Sequence, residues 1–238
     1  MNATSETTDD QPPGEDPGAS VDEGPGCLPA FLAIGALLLM FMFVACGFGA
    51  WYIYQQRTEL AVRTLEGYVI PELEQSGLEP DERGQAIASI RGVIEQAREG
   101  KLEDWQASGI MERLNRMPLL EWGDLETVEA LIANSDQFTA AEKTEAIKQF
   151  SRLRRAAELE EVTAVDFAGD VLDGVYGDTD ASGRARINRQ ATTEQLRQAV
   201  TEAQRVADRV GVPDQLFDVS LNELLDKQIE LGKSEGGF

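Results

Sequence analysis

The chain has 238 residues, with 43 acidic and 21 basic side chains, no histidine and only two cysteines. A formal charge of -22 repels phosphate backbones, so we expect no nucleic-acid partner. Without histidine the chain lacks the usual general base and the commonest metal ligand. Nucleotide-binding and hydrolase motifs are also missing from the sequence, so it predicts a protein that is not an enzyme and carries no cofactor.

The first 26 residues form an acidic segment rich in proline and glycine, "MNATSETTDDQPPGEDPGASVDEGPG". The segment contains seven acidic side chains and no lysine or arginine. Such a composition offers too little apolar surface for a packed core. The sequence therefore predicts a disordered tail over residues 1–26.

An uncharged apolar stretch follows, "LPAFLAIGALLLMFMFVACGFGAWYIY", over residues 28–54. As a helix it is about 40 Å long, whereas the hydrocarbon layer of a bilayer is about 30 Å thick. Trp51, Tyr52 and Tyr54 lie at its end, where amphipathic rings contact lipid headgroups. We predict a single transmembrane helix over residues 27–56 that contacts the lipid bilayer through residues 28–54.

An alternative is a cleaved lipoprotein signal. The tetrapeptide "FVAC", which ends at Cys46, resembles the lipobox of bacterial lipoproteins. That resemblance implies cleavage before Cys46 and acylation of its thiol. Two features favour an uncleaved span instead: the preceding segment has no positive charge, and apolar residues continue through Ile53.

The charges that flank the span indicate its orientation. Arg57 and Arg63 follow the apolar stretch, whereas no basic residue precedes it. Because basic flanks favour the cytoplasmic side, we expect a single-pass protein of the bacterial inner membrane, with a cytoplasmic domain favoured over a periplasmic one.

Small residues four positions apart occur within the span, at Ala45 and Gly49 and again at Cys46 and Ala50. Such pairs allow close approach of two helix backbones. They predict a homo-oligomer that forms through the membrane helix.

Helical periodicity dominates the remaining sequence. We predict an all-α fold: a juxtamembrane helical stalk at 57–76, then a multi-helix bundle or helical-repeat-like domain at 77–231, and a flexible tail at 232–238. Apolar stripes and capping boxes predict helices in the domain near 80–99, 101–116, 124–134, 139–158, 162–175, 194–210 and 220–231.

Two of these helices are similar at a separation of 60 residues. The matching positions are Glu82/Glu142, Arg83/Lys143, Ala86/Ala146 and Ile87/Ile147. This similarity is consistent with a duplicated helical unit, and also with two unrelated helices that share an apolar stripe. A third copy does not stand out, although repeat arrays generally need three.

One loop carries a candidate metal site. Asp178, Asp180 and Ser182, followed by Gly183, resemble the first half of an EF-hand calcium loop, in which oxygen ligands alternate along the chain. The twelfth position requires a bidentate glutamate but is Arg189. A solvated connection between two helices is therefore the competing interpretation.

The function that these features favour is a membrane-anchored, non-enzymatic protein-interaction or scaffold module whose helical surface binds a protein partner. The alternative is a membrane-proximal hydrolase that uses paired carboxylates. With 43 acids, carboxylate pairs occur by chance along the whole chain, so the sequence selects no particular pair.

Overall fold

In a computed structural model, which describes residues 27–55, 57–180 and 182–236, the chain is mostly α-helical. This confirms the helical character that the apolar periodicity predicted. The predicted disordered tail, residues 1–26, lies outside the described residues. The chain divides into two compact units, Met1–Trp51 and Tyr52–Phe238.

The described part of the first unit is the apolar helix α1, Cys27–Gln55, whose last residues from Tyr52 onward belong to the second unit. Every side chain from residue 31 to residue 49 is exposed, and Phe31, Phe41 and Phe43 each present more than 70% of their surface. The span Phe31–Gly49 is long and apolar enough to cross a membrane.

The second unit consists largely of helices. Their bounds are α2 Arg57–Thr64, α3 Ile70–Glu74, α4 Pro80–Arg98, α5 Asp104–Arg116, α6 Leu119–Asn134, α7 Ala140–Glu158, α8 Thr193–Arg209 and α9 Leu221–Ser234. Their apolar stripes meet in one core, in which Trp122, Phe150 and Phe167 are almost fully buried. Helices α7 and α8 begin with capping boxes at Thr139 and Thr192, which satisfy free backbone N–H groups of the first turn.

The sequence showed almost no alternating strand pattern, but the structure contains one antiparallel hairpin. Strand β1, Tyr176–Thr179, pairs with β2, Ala185–Ile187. Strand β1 is mostly exposed, whereas β2 is partly buried and its Ile187 belongs to the core. Alternation of apolar and polar residues signals a strand only when it runs over several residues. Strands of four and three residues are too short to show it.

Residues 57–76, predicted as a stalk, are helical as far as Glu74 and share the core of the second unit. Val62, Leu65 and Leu73 are buried in the same apolar cluster as the later helices. The helix continues through Pro71, and the turn before it, Leu65–Val69, is a wider π-helical turn. Proline lacks an N–H and crowds the carbonyl four residues earlier, which accounts for the wider turn.

The predicted helix at 162–175 is irregular. It contains a π-helical turn, Asp166–Val171, and a short 3-10 turn, Asp173–Val175. The last helix also differs from expectation, because α9 continues through Gly232 to Ser234 instead of ending before the glycine.

The helices that are similar in sequence have matching bounds. Both α4 and α7 contain 19 residues, and their first residues, Pro80 and Ala140, are 60 positions apart. Ala86 and Ala146 are both buried. The match is incomplete, since Ile87 is buried whereas Ile147 is half exposed. Duplication of a helical unit stays a prediction.

Helices α5 and α9 cross at a contact that only glycine allows. A methyl group added to Gly232 would lie 2.7 Å from the backbone nitrogen of Ile110. A methyl group on Gly109 would lie 2.8 Å from the carbonyl oxygen of Gly232. Both distances are below normal van der Waals contact, so the helix axes approach closely because side chains are absent here. This close approach explains why α9 does not end at Gly232.

We expect Gly232→Ala to lower the free energy of unfolding by about 1–3 kcal/mol, because the added methyl must displace the α5 backbone. The matched control is Gly92→Ala in α4, where an added methyl has no neighbour within 4 Å. Helix propensity predicts that this change stabilises the chain by up to about 1 kcal/mol. Urea unfolding of the full chain in detergent, followed by circular dichroism, measures both. Equal effects of the two substitutions would contradict the close crossing.

Candidate functional site

The residues of the predicted calcium loop lie at the hairpin, where Asp180 already has several donors. Its carboxylate accepts hydrogen bonds from the backbone N–H of Ser182 at 2.8 Å and of Arg184 at 3.2 Å. It also pairs with Arg186 at 2.5 Å. The hydrogen bond from the Ser182 hydroxyl is the main cause that lowers the pKa of Asp180. Asp180 therefore acts as the internal acceptor that shapes the turn.

Asp178 lies on β1 with an exposed side chain. Within residues 27–55, 57–180 and 182–236, no three acidic, cysteine or histidine side chains are grouped so that they could hold a metal ion. Asp178 and Asp180 belong to no such group in this part of the chain, and a calcium site at Asp178, Asp180 and Ser182 stays a prediction. The two arginines that follow, Arg184 and Arg186, pair with carboxylates of α3 and α6.

Arg184 and Arg186 reach from the hairpin into a buried ion cluster. Arg184 contacts Asp124 of α6 at 2.5 Å and Glu72 of α3 at 3.3 Å. Arg186 contacts the same carboxylate of Glu72 at 2.7 Å. The side chain of Glu72 is only 3% exposed and that of Asp124 only 8%. The arginines neutralise two carboxylates that lie more than fifty positions earlier in the sequence.

Tyr176 extends this cluster from β1. Its hydroxyl donates a hydrogen bond to Asp124 at 3.2 Å. Burial raises the pKa of Asp124, and Arg184 opposes that rise because its charge favours the carboxylate. Burial is also the main cause that raises the pKa of Tyr176, with the charge of Asp124 acting in the same direction. Tyr176 therefore stays a neutral donor.

A cavity of about 320 Å³ is lined in part by the first residues of α6. Its wall is mostly apolar and includes the π-helical turn Leu65–Val69 and the connection between α5 and α6. The lining residues are Thr64, Leu65, Tyr68, Val69, Met111, Leu114, Asn115, Met117, Leu119, Leu120, Glu121 and Ala164. A volume of this size is at the lower end of the range for small-molecule sites.

Glu121 joins the cavity to the ion cluster. It is the third residue of α6 and lines the cavity. Burial is the main cause that raises the pKa of its carboxyl. The charge of Asp124 acts in the same direction, whereas Arg184 and nearby backbone N–H groups oppose it. A carboxyl in such surroundings gains from a donor or cation that replaces lost water.

A second carboxyl pair lies where α4, α6 and α9 meet. Glu126 accepts a hydrogen bond from the backbone N–H of Glu79 at 3.0 Å. Glu82 accepts one from the backbone N–H of Leu221 at 3.2 Å. Burial, followed by the hydrogen bond and negative charge of Glu82, raises the pKa of Glu126 to about 8. Near neutral pH the pair therefore holds a proton.

Sequence reasoning did not select any of these acids. Glu72, Glu121, Asp124 and Glu126 are four among 43 acidic residues; Glu72 and Asp124 are buried, and desolvation raises the pKa of Glu121 and Glu126. The only local signal is the place of Glu121 in the first turn of a helix after Pro118, where acids are common in any case.

No family model, no curated protein and no solved structure matches this chain. What the site can do chemically is therefore inferred from its own residues. The site contains the desolvated carboxyl of Glu121 at an apolar cavity, and a neighbouring ion cluster in which arginines neutralise Glu72 and Asp124. The cavity can hold an apolar group, and Glu121 can accept a hydrogen bond or pair with a cation.

We expect Arg184→Met to lower the free energy of unfolding by about 3–5 kcal/mol, because it leaves Glu72 and Asp124 buried without their shared cation. The control is Arg91→Met, which removes an exposed ion pair with Glu74 and should change stability by less than about 1 kcal/mol. Chemical unfolding of both variants measures the difference. An Arg184 variant as stable as the control would show that the cluster does not hold the hairpin.

The raised pKa of Glu126 predicts how the stability of the folded chain depends on pH. Because its pKa is raised from 4.5 to about 8, the folded chain holds a proton that the unfolded chain releases from about pH 4.5 upward. The stability that this proton contributes is present at low pH and is lost as pH rises toward 8. We therefore expect the stability gained by Glu126→Gln, relative to the natural chain, to grow between pH 5 and pH 8.

Thermal unfolding of both proteins across this range tests the prediction. Asp81→Asn is the charge-matched control, since its carboxyl is exposed at the start of α4. A difference that is independent of pH for Glu126→Gln would rule out a shared proton at this pair.

Proposed function

We propose that this chain is a single-pass membrane protein whose helical domain binds a protein partner. The observation that carries the proposal is the exposure of α1, in which every side chain from residue 31 to residue 49 faces away from protein. Twelve large apolar side chains are among them. Burial of one such side chain is worth about 1.5–3 kcal/mol, so their transfer out of water favours insertion by roughly 20 kcal/mol or more.

The orientation that we propose places the domain in the cytoplasm, at the inner membrane of a bacterium. Arg57 and Arg63 directly follow the apolar helix. Basic residues close to a span favour the cytoplasmic side. Trp51, Tyr52 and Tyr54 would then lie at the headgroups of the inner leaflet. In α1 the small-residue pairs supply a surface for self-association.

Two features of the acidic residues support the proposal of a binding module over that of an enzyme. Glu72, Asp124 and Asp180 are paired with arginines, so their carboxylates are already occupied. The domain also carries acidic side chains in excess, 36 against 21 basic residues after position 56. Such a surface attracts basic partners and repels other acidic surfaces, which favours a partner different from the domain itself.

A carboxylate hydrolase is the second candidate. One observation favours it, because Glu121 and Asp124 lie one turn apart on α6 and both have a raised pKa. Asp124, however, accepts hydrogen bonds from Tyr176 and Arg184, which leaves it poorly placed to activate water. The binding module is therefore the function that we favour.

Alkaline carbonate extraction tests the membrane anchor. We expect the full chain to stay with the membrane pellet and a variant that lacks residues 27–56 to be released, because the apolar helix is the proposed anchor in the bilayer. Intact mass spectrometry of the pelleted protein should give the uncleaved chain. Release of the full chain, or a mature mass that begins at an acylated Cys46, would contradict the proposal.

Protease treatment of spheroplasts tests the orientation. A domain in the cytoplasm is digested only after lysis, so digestion of intact spheroplasts would assign it to the opposite side. Cytoplasmic and periplasmic marker proteins of known location serve as controls for lysis in the same samples.

A further inference from the structure

We propose that the cavity beside Glu121 binds a small organic amine with an apolar body. The inference goes beyond the membrane anchor and the protein partner, because it concerns a free small molecule. It rests on the shape of the cavity, on the chemistry of its lining and on the distribution of charge around it.

The cavity has the composition of a small-molecule site. Leucine, valine, methionine and alanine side chains form most of its wall. Met111 and Met117 are flexible and can adapt to an apolar ligand. The π-helical turn Leu65–Val69 forms one side of the cavity, and such turns are frequent at functional sites. These features favour a compact apolar group as the occupant.

The charges of the lining residues indicate the sign of the charge that a ligand would carry. Among the described residues that line the cavity, Glu121 is the only acid, and none is lysine or arginine. Its strongest cationic neighbour, Arg184, already contacts both Asp124 and Glu72. A ligand cation is therefore the natural complement for Glu121, whereas a ligand carboxylate would be repelled.

An aromatic ring adds a second contact for a cation. Tyr68 lines the cavity and is 44% exposed. The face of such a ring attracts ammonium groups. A carboxylate and an aromatic ring on the wall of one apolar cavity together match a protonated amine on an apolar body. A neutral apolar molecule would bring no cation to the carboxyl of Glu121.

Methionine methyl NMR provides a local test in the full chain in lipid nanodiscs. The probe is 2-phenylethylamine, and 2-phenylethanol is its neutral analogue of similar shape. We expect saturable shifts at Met111 and Met117 with the amine. Met40 and Met42 lie in α1 and report any partition of the probe into the bilayer. Shifts confined to Met40 and Met42 would overturn the proposal.

Substitution of the carboxyl tests the ligand class. We expect Glu121→Gln to weaken binding of the amine about tenfold, because it removes the charge with little change of shape. Glu112→Gln is the control, since this exposed glutamate of α5 does not line the cavity and changes the net charge equally. Equal affinity for the amine and the alcohol, or equal binding by the Glu121 variant and the natural chain, would overturn the proposal.

If Glu121→Gln folds poorly, a variant that fills the cavity tests the same site. Ala164→Leu adds three carbons at the cavity wall and should abolish the shifts at Met111 and Met117. Circular dichroism shows whether each variant is folded. Unchanged binding by a folded Ala164→Leu protein would place the probe elsewhere and refute the site. Neither outcome bears on carbonate extraction, so the membrane anchor is judged separately.

Discussion

Two buried carboxylates, Glu72 and Asp124, impose the constraint on which the non-helical part of the domain depends. A carboxylate that is almost fully removed from water is unstable unless a cation and hydrogen bonds replace its hydration. Arg184 and Arg186 supply these contacts from the hairpin. The hairpin contributes Ile187 to the apolar core, and the ion cluster adds polar contacts that fix its position on α3 and α6. The start of α6 and the cavity beside it are positioned by the same contacts.

A buried arginine also holds a second irregular segment, the connection between α8 and α9. Arg152 of α7 is only 2% exposed, and its guanidinium donates to the carbonyl oxygens of Val212 and Pro213. Asp208 and Asp214 balance its charge. The carbonyl groups of a short connection are thereby satisfied without a regular element. Apolar stripes pack the helices of this domain, whereas buried arginines fasten the segments between them.

An acidic chain without histidine can still contain groups that titrate near neutral pH. Glu126 does so because it is desolvated and faces Glu82, and burial acts on Glu121 in the same direction. Neither acid differs in its local sequence from the many that remain in water. Burial depends on residues brought together from α3, α4, α6 and α9, so sequence position alone carries no signal of it. In the candidate calcium loop the local pattern is suggestive, and the structure adds that the carboxylate of Asp180 accepts hydrogen bonds within the turn and pairs with Arg186.

The sequence by itself determined the apolar helix and most of the helices of the domain. Their signals are local: uninterrupted apolar residues, stripes at helical spacing, a capping box at Thr139 and a capping serine at Ser220. Only the tertiary structure decided that residues 57–74 join the core, that α9 continues through Gly232, and which carboxyls are buried. These features arise from contacts between segments far apart in the chain, where the close approach of two backbones or the pairing of two charges outweighs local preference.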